Sequence, residues 1–230
     1  MFLDTIISTI YLVSHAKQYK RKALIITVAH SKGGVGKSLL SWHLAIAMKV
    51  PIVDLDFQRT LIYTNNLRKS NGIKPVEIIQ PDTREEFIAL FDSWPEDKNI
   101  IVDVGGFDSN INRAAMFISD IIITPAVDKV TELAGLYKFH EIIKELSENM
   151  NTDIKSHIVL NDVNPSSKDF SIMIDLVEQL EHFELLDTIV CHRADFYKTM
   201  EEGKGVSDLN VSKAKDELLK LKKEILKVGS

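Results

Sequence analysis

The stretch SKGGVGKS at residues 31–38 decides how the rest of the chain is interpreted. It follows an apolar segment at 23–29, typical of a buried strand, and precedes an apolar segment at 39–48 that is long enough for a helix. Glycines in such a turn let successive backbone N–H groups point inward at an anion, and the helix N-terminus adds partial positive charge. The pattern therefore predicts a phosphate-binding loop, with Lys37 on the β- and γ-phosphates of a nucleotide and the Ser38 hydroxyl on Mg²⁺.

A second lysine, Lys32, stands at the beginning of the loop. The usual form of such loops has a glycine where this chain has Ser31. A lysine placed so early cannot easily fold back onto phosphates bound by its own loop, but it is free to reach a nucleotide held by a second subunit. The spacing therefore predicts a homodimer.

The loop resembles the deviant Walker A motif of the ParA/MinD superfamily of ATPases, and the resemblance extends over about residues 23–226. It implies an α/β P-loop NTPase fold, with a mostly parallel sheet flanked by helices on both faces. It also implies ATP and Mg²⁺ as cofactors, and a dimer that forms on ATP. The implied nucleotide contacts are Lys32, Gly33, Gly34, Val35, Gly36, Lys37, Ser38, Leu39 and Asn161.

Aspartates follow two further segments that are typical of buried strands. Asp56 ends the segment 51–56 and matches the superfamily residue that orients or activates the attacking water, whereas Asp54 is expected to hold the loop. Asp103 follows the apolar run at 100–102 and matches the Walker B carboxylate that holds Mg²⁺. The resemblance thus implies Lys32, Lys37 and Asp56 as catalytic residues, and Ser38, Asp56 and Asp103 as metal ligands.

Two positions depart from the superfamily pattern. Phe57 replaces the usual proline after Asp56, and Gly105-Gly106 replaces the usual pair of prolines. We expect the glycines to allow a mobile loop whose N–H groups sense the γ-phosphate. These departures leave open a third hypothesis, a nucleotide-binding scaffold with little turnover.

Hydrophobic patterning predicts the remaining elements. Strands are expected at 76–80, 120–125 and 156–160, the last ending at Asn161. Helices are expected at 83–91, with Asp82 and Thr83 as its N-cap, at 127–150 and at 211–228. Residues 1–22 are interpreted as an N-terminal extension containing an amphipathic helix, and residues 23–230 as the ATPase domain.

Composition excludes several classes of protein. The 230 residues suffice for one α/β domain, and a single cysteine, Cys191, excludes a disulfide framework and cluster-binding members of the superfamily. No segment approaches the roughly 20 apolar residues that span a bilayer. These features favour the cytoplasm as the location.

Basic side chains are the predicted contacts to DNA. The net charge of −5 requires any nucleic-acid contact to come from a local patch, and the last predicted helix carries a surplus of lysines. The predicted DNA contacts are Arg193, Lys213, Lys215 and Lys220. A solvated helix face with ion pairs four residues apart is the alternative explanation.

Two hypotheses about the cellular role of the ATPase follow. The first is a small nucleoid-associated partition ATPase that dimerises on Mg·ATP, binds DNA non-specifically, and hydrolyses ATP slowly under control of a small centromere-bound adaptor. The second is a MinD-like ATPase that associates with membrane to position an apparatus, for which residues 2–13 would be the anchor. Partition is the favoured hypothesis, because residues 2–13 have no basic face before Lys17.

Overall fold

Seven parallel strands form one sheet in a computed structural model that describes residues 23–230. The strands are β1 (Ile25–Val28), β2 (Ile52–Asp54), β3 (Ile78–Ile79), β4 (Ile100–Asp103), β5 (Ile121–Ala126), β6 (Ser156–Val163) and β7 (Phe183–Cys191). Their spatial order is β3-β2-β4-β1-β5-β6-β7, and each neighbouring pair is parallel. The predicted α/β P-loop NTPase fold is therefore confirmed.

Helices cover both faces of this sheet. They are α1 (Lys37–Met48), α2 (Thr60–Ser70), α3 (Arg84–Asp92), α4 (Asn110–Ile118), α5 (Val130–Met150), α6 (Ser171–Gln179), α7 (Ala194–Glu201) and α8 (Lys213–Val228), with a 3₁₀ turn at Val206–Asp208. Helices α1, α2, α7 and α8 contribute to one hydrophobic cluster, and α3, α4, α5 and α6 contribute to the other. Strands β1, β2, β4 and β5 are thus buried from two sides, which explains why they read as continuous apolar runs.

Strand β1 shows how the chain supplies both clusters. Ile25 packs into one cluster, whereas Ile26 and Val28 pack into the other, because successive side chains point to opposite faces. The strand runs between β4 and β5, so the loop that follows it leaves from the middle of the sheet. Open α/β sheets bind ligands at such positions, outside the carboxyl ends of the strands.

Several boundaries differ from the expectations. Helix α8 begins at Lys213, because the Ser212 hydroxyl accepts a hydrogen bond from the Ala214 N–H at 3.1 Å and caps the helix. Val211, expected in the apolar stripe, precedes the helix and is 92% exposed. Helix α5 begins at Val130, three residues after the expected start.

Helices α4, α6 and α7 and strand β7 were not anticipated. The charged residues Glu184 and Asp187 interrupt the β7 pattern. None of the helices within the described part of the chain is long and apolar enough to cross a membrane. The expected amphipathic helix near the N-terminus lies outside the described residues.

Candidate functional site

The loop 31–38 borders a cavity of about 460 Å³ at the carboxyl end of the sheet. Every predicted nucleotide contact from Gly33 to Leu39 lines it, together with Asp56 and Asn161. These residues come from the loop after β1 with the start of α1, from the segment after β2, and from strand β6 itself. The fold therefore brings together groups that are more than 100 positions apart in the sequence, as in the hydrogen bond between Asn161 and Val35.

The curl of the loop depends on its glycines. Gly34 and Gly36 have φ angles of +78° and +93°, a conformation that side chains with a Cβ rarely adopt. A Cβ on Gly36 would also lie 2.4 Å from Nδ2 of Asn161. That amide group donates a hydrogen bond to the Val35 carbonyl at 2.9 Å, so the buried Asn161 side chain holds the loop from the β6 side.

Lys37 is buried at the beginning of α1, with 6% of its surface exposed. Its ammonium group donates a hydrogen bond to the Lys32 carbonyl at 2.8 Å. Burial lowers the pKa of Lys37, and the nearby charges of Asp103 and Asp56 oppose this shift. A buried cation at the curl of a glycine loop is suited to a phosphate group.

Lys32 lies on the other side of the loop and does not line the cavity. Its ammonium group binds the carboxylate of Glu132 at 2.5 Å, and its backbone N–H donates to Nδ1 of His30 at 3.0 Å. Glu132 belongs to the first turn of α5, and its side chain is only 8% exposed. Lys32 was expected to be free, and its pairing with Glu132, 100 positions away, has no local signal in the sequence.

Asp103 and Asp54 are paired in register at the ends of β4 and β2. Burial raises the pKa of Asp103 to about 7, although hydrogen bonding by Ser38 and Ser41 opposes the shift. The Ser41 hydroxyl donates to Oδ1 of Asp103 at 2.8 Å. Oδ2 has no hydrogen-bond partner among residues 23–230. This buried oxygen is therefore the one left for a cation or its bound water.

Asp54 holds the following loop, as expected. Its Oδ1 accepts the Asp56 N–H at 3.1 Å, and its Oδ2 accepts the Gln80 amide at 3.3 Å. Burial raises the pKa of Asp54 to about 6. Asp56 itself lines the cavity and accepts the Gln58 N–H at 3.0 Å through Oδ1. Asp54 thus positions Asp56.

The predicted magnesium ligands are suited to the ion. Ser38 offers a hydroxyl, Asp103 a buried carboxylate oxygen without a partner in the described chain, and Asp56 a carboxylate at the cavity wall. Mg²⁺ prefers such hard oxygen ligands and keeps several of its waters. Ser41, which fixes the Asp103 carboxylate, was missed by the sequence analysis because its role depends on a residue 62 positions away.

The far wall of the cavity is polar and aromatic. Asp162 has a φ angle of +58° and accepts hydrogen bonds from the Tyr197 hydroxyl at 2.9 Å and from the His192 ring at 2.6 Å. Burial and the Asp162 carboxylate raise the pKa of Tyr197 to about 12, so its hydroxyl stays protonated. Asp162 and Tyr197 line the cavity beside Asn161 and were not among the predicted site residues.

Comparison with known proteins agrees with this geometry. A family model described as the CobQ/CobB/MinD/ParA nucleotide binding domain matches residues 26–206. The chain belongs to this family. Its sequence is 26% identical over 212 residues to the maintenance of carboxysome distribution protein A of Halothiobacillus neapolitanus, covering 89% of this chain and 97% of that protein.

Solved structures of ParA/MinD-type proteins share the fold. The ATP complex of a Cyanothece McdA variant superposes with a TM-score of 0.67 at 14% identity, covering 88% of this chain and 96% of that one. A plasmid partition protein from Borrelia burgdorferi B31 bound to AMPPNP superposes with a TM-score of 0.65 at 19% identity, covering 90% and 98%. Both confirm the fold of a ParA/MinD nucleotide-binding domain.

The two glycines that depart from the ParA/MinD pattern have a steric explanation in this chain. A Cβ on Gly106 would lie 3.0 Å from the backbone nitrogen of Gly33, and a Cβ on Gly105 would lie 2.8 Å from the ring of Phe107. The ring of Phe107 in turn lies 5.7 Å from that of Phe57, which is 72% exposed. The segment after β4 is therefore packed directly on the phosphate loop.

The predicted DNA contacts separate into two groups. Arg193 donates to Oε1 of Glu217 at 2.8 Å, and Lys215 donates to the Leu209 carbonyl at 2.5 Å. Both cations therefore already have partners within the chain. Lys213 and Lys220 are exposed on α8. They are the two predicted contacts that remain suited to a phosphate backbone.

Proposed function

We propose that this ParA/MinD-type chain is a partition or positioning ATPase that dimerises on Mg·ATP. The observation that carries the proposal is that the two lysines of the loop differ in burial and in position relative to the cavity. Lys37 is buried at the phosphate cavity, whereas Lys32 lies outside that cavity and is 40% exposed in its side chain. This difference supports a role for Lys37 at the chain's own nucleotide and a role for Lys32 at the nucleotide of a second copy.

Residues of the cavity have distinct proposed roles in hydrolysis. The N–H groups of the loop and the Lys37 ammonium would hold the β- and γ-phosphates. Ser38 and Asp103 would hold Mg²⁺, whose charge would stabilise the negative charge that builds up on the transferred phosphoryl group. Asp56, whose loop Asp54 fixes, would orient the attacking water. The Lys32 ammonium of the second copy would complete the cation set around the triphosphate.

Asn161 and Tyr197 are the proposed contacts for the base and sugar. Nδ2 of Asn161 already donates to the Val35 carbonyl, which leaves Oδ1 as the group able to accept a hydrogen bond from the adenine amino group. The Tyr197 ring is 39% exposed at the same wall. This arrangement supports ATP as the nucleotide.

A stripe of lysines on α8 is the proposed contact to DNA. Lys213, Lys220, Lys223 and Lys227 are exposed, and their spacing places them within an arc of about 80° along the helix. Two glutamates of the same helix, Glu217 and Glu224, instead bind backbone N–H groups of β7. The outward face is therefore more basic than the composition of the helix indicates, which supports sequence-independent binding to phosphates.

The names of the relatives support a cellular role for the proposed ATPase. One is named for carboxysome distribution and another for plasmid partition, so the distribution of a cargo is common to both names. We infer that ATP-bound dimers of this chain bind DNA and that a cargo-bound adaptor stimulates hydrolysis and releases them.

Sedimentation velocity with AMPPNP and Mg²⁺ tests the dimer. Lys37→Ala should abolish nucleotide binding, because it removes the buried cation of the cavity. Lys32→Ala should bind nucleotide nearly as well as the wild type but remain a monomer. Dimers of Lys32→Ala that form normally with AMPPNP would refute the exchange of lysines between subunits.

Titration of duplex DNA at several salt concentrations tests the lysine stripe. The double variant Lys220→Ala/Lys223→Ala should reduce the slope of log affinity against log salt by roughly two. The control Lys74→Ala/Lys168→Ala changes the charge equally at exposed positions elsewhere and should keep the wild-type slope. Equal slopes for the two double variants would contradict the assignment to α8.

A further inference from the structure

A small cavity lies beneath the phosphate loop, separate from the nucleotide cavity. Its volume is about 10 Å³, and its lining includes His30 at the end of β1, Phe107 after β4 and Asn112 in the first turn of α4. A volume of this size is close to the minimum that one water molecule requires. Water enters such a space only if polar groups face it, and the lining also includes Ser31 and Asp108. The Ser31 hydroxyl already donates to the Gly135 carbonyl at 3.1 Å, and both Asp108 oxygens accept from Arg113 at 2.8 Å. His30 and Asn112 therefore decide what the cavity holds.

His30 presents a hydrogen-bond donor that has no partner in the described chain. Its Nδ1 accepts the Lys32 N–H at 3.0 Å, so that nitrogen carries no proton. Burial, with the nearby charges of Lys37 and Lys32, lowers the pKa of His30 to about 3, and the ring is therefore neutral with its proton on Nε2. Nε2 is buried, and no group within residues 23–230 accepts a hydrogen bond from it.

Asn112 presents the complementary acceptor. Its Nδ2 donates to the Phe107 carbonyl at 2.7 Å, whereas its Oδ1 is buried and unpaired within the described range. An unpaired donor and an unpaired acceptor therefore belong to side chains that line the same small cavity. Leaving both groups without partners would cost each of them its hydration free energy.

We propose that one ordered water molecule bridges His30 and Asn112, accepting from Nε2–H of the histidine and donating to Oδ1 of the asparagine. The bridge completes a continuous hydrogen-bonded path from the Lys32 backbone N–H to the Phe107 carbonyl. His30 and Asn112 are positioning residues, since they act on the lysine and on the loop after β4 rather than on the nucleotide.

The path couples the phosphate loop, which carries Lys32, to the segment after β4, which is expected to sense the γ-phosphate. Gly106 already packs on Gly33, so the segment after β4 contacts the phosphate loop directly above the cavity. Any shift of that segment at the γ-phosphate would move the Phe107 carbonyl and, through the water, the backbone of Lys32. This consequence depends on the proposed function, because Lys32 must leave Glu132 to reach a second subunit.

Two measurements on the wild-type protein without nucleotide test the bridge itself. A crystal structure at about 1.5 Å resolution should show a water within about 3.2 Å of both His30 Nε2 and Asn112 Oδ1. Nitrogen-15 spectra of histidine-labelled protein at pH 7 should show His30 as the neutral tautomer protonated at Nε2. A dry cavity, or a proton on Nδ1, would overturn the proposal whether or not the protein dimerises on ATP.

A double-mutant cycle tests the coupling. His30→Asn keeps an acceptor for the Lys32 N–H but removes the donor to the cavity, and Asn112→Leu removes the acceptor. We expect each single variant to weaken AMPPNP-dependent dimerisation about fivefold, with monomer nucleotide affinity little changed, and the double variant to be no weaker than the weaker single one. Multiplicative losses in the double variant would show two independent sites and contradict the bridge.

Asn65→Leu is the matched control for the loss of a partly buried asparagine. Asn65 exchanges hydrogen bonds with the backbone of Val76, at 2.8 and 2.9 Å, and does not line either cavity. This variant should lose stability without losing dimerisation. An equal loss of dimerisation in Asn65→Leu would assign the effect to stability and refute the coupling.

Discussion

Lys32 and Glu132 form an ion pair within one chain, although 100 positions separate them in the sequence. The second carboxylate oxygen of Glu132 is buried and has no partner among residues 23–230, so the lysine provides the main charge compensation for this group. In the proposed dimer Lys32 would move to a second subunit, and the carboxylate would lose that compensation. The ion pair therefore favours the monomer in the equilibrium with the proposed ATP-bound dimer.

Neutralising Glu132 should consequently promote dimerisation. The change Glu132→Gln keeps the shape of the side chain but removes the charge that holds Lys32. An ion pair of about 1 kcal/mol corresponds to roughly fivefold tighter AMPPNP-dependent association, measured by sedimentation equilibrium. Glu141→Gln, at a side chain on the same helix that is 71% exposed, is the control and should associate like the wild type. Weaker association of Glu132→Gln would show that the carboxylate supports the dimer.

Removing the Asp56 carboxylate should separate dimerisation from hydrolysis. Asp56→Ala takes away the group proposed to orient water, whereas Lys37, Ser38 and Asp103 remain to hold Mg·ATP. ATP turnover should fall by at least about 100-fold, as expected for the loss of a general base, and the ATP-bound dimer should persist on a sizing column. Asp82→Ala removes an exposed aspartate that pairs only loosely with Arg59, at 3.6 Å, and should hydrolyse ATP normally. Unchanged turnover in Asp56→Ala would assign the water to another residue.

The sequence predicts the parts of this site that follow from strand ends. Asp56 and Asp103 end apolar runs, and Lys37 ends the glycine-rich loop that follows another such run. Parallel strands carry their carboxyl ends to one edge of the sheet, so these three residues are brought together. Local pattern is enough to find such residues. The fold, the phosphate loop and the strand-end carboxylates of the cavity could therefore be anticipated without coordinates, whereas Asp162 and Tyr197 at its far wall could not.

Residues that act through distant partners could not be anticipated in this way. Glu132, His30 and Asn112 have no local pattern that sets them apart from surface glutamates or core polar residues. Their roles arise because α4 and α5 pack beside the phosphate loop, a fact that depends on the tertiary arrangement of the helices. The same reason explains why the partner of Arg193, a predicted DNA contact, could not be anticipated. Its partner Glu217 lies 24 positions away, on α8.

Acidification should destabilise the protein through His43. This buried ring accepts the Val206 N–H at 3.2 Å through Nδ1 and bonds the Phe196 carbonyl at 2.9 Å through Nε2. Burial lowers the pKa of His43 from 6.5 to about 4, so between these values the unfolded chain binds a proton that the folded chain does not. The contribution of His43 to stability should therefore rise by about 3 kcal/mol between pH 4 and 6.5 and level off above. The raised pKa values of Asp103 and Asp54 act in the opposite direction over this range, so a variant is needed to isolate the histidine.

Urea denaturation of the wild type and His43→Gln at pH 4.5, 5.5, 6.5 and 7.5 measures that contribution. Glutamine cannot take up a proton in this range, so the difference in unfolding free energy between wild type and variant should grow in favour of the wild type as the pH rises from 4.5 to 6.5. The variant should also be less stable at pH 7.5, because it cannot reproduce both ring contacts. Parallel curves for the two proteins would show that His43 is not the group that titrates.

Gly36→Ala should abolish nucleotide binding. Comparison with Gly72→Ala separates the strain of a positive φ angle from the steric clash with Asn161. At Gly36 a methyl group meets both the positive φ angle of +93° and the Asn161 amide at 2.4 Å, whereas at Gly72 the φ angle is +69° and no atom lies within 4 Å. Gly72→Ala should therefore cost about 1 kcal/mol of stability and leave AMPPNP affinity unchanged, because only backbone strain is added. Gly36→Ala should show no measurable AMPPNP binding in calorimetry. The Asn161 side chain must move away from the added methyl group, and it then loses its hydrogen bond to the Val35 carbonyl of the loop. Nucleotide affinity of Gly36→Ala equal to that of Gly72→Ala would show that the loop tolerates this displacement and that Asn161 does not hold it in the binding conformation.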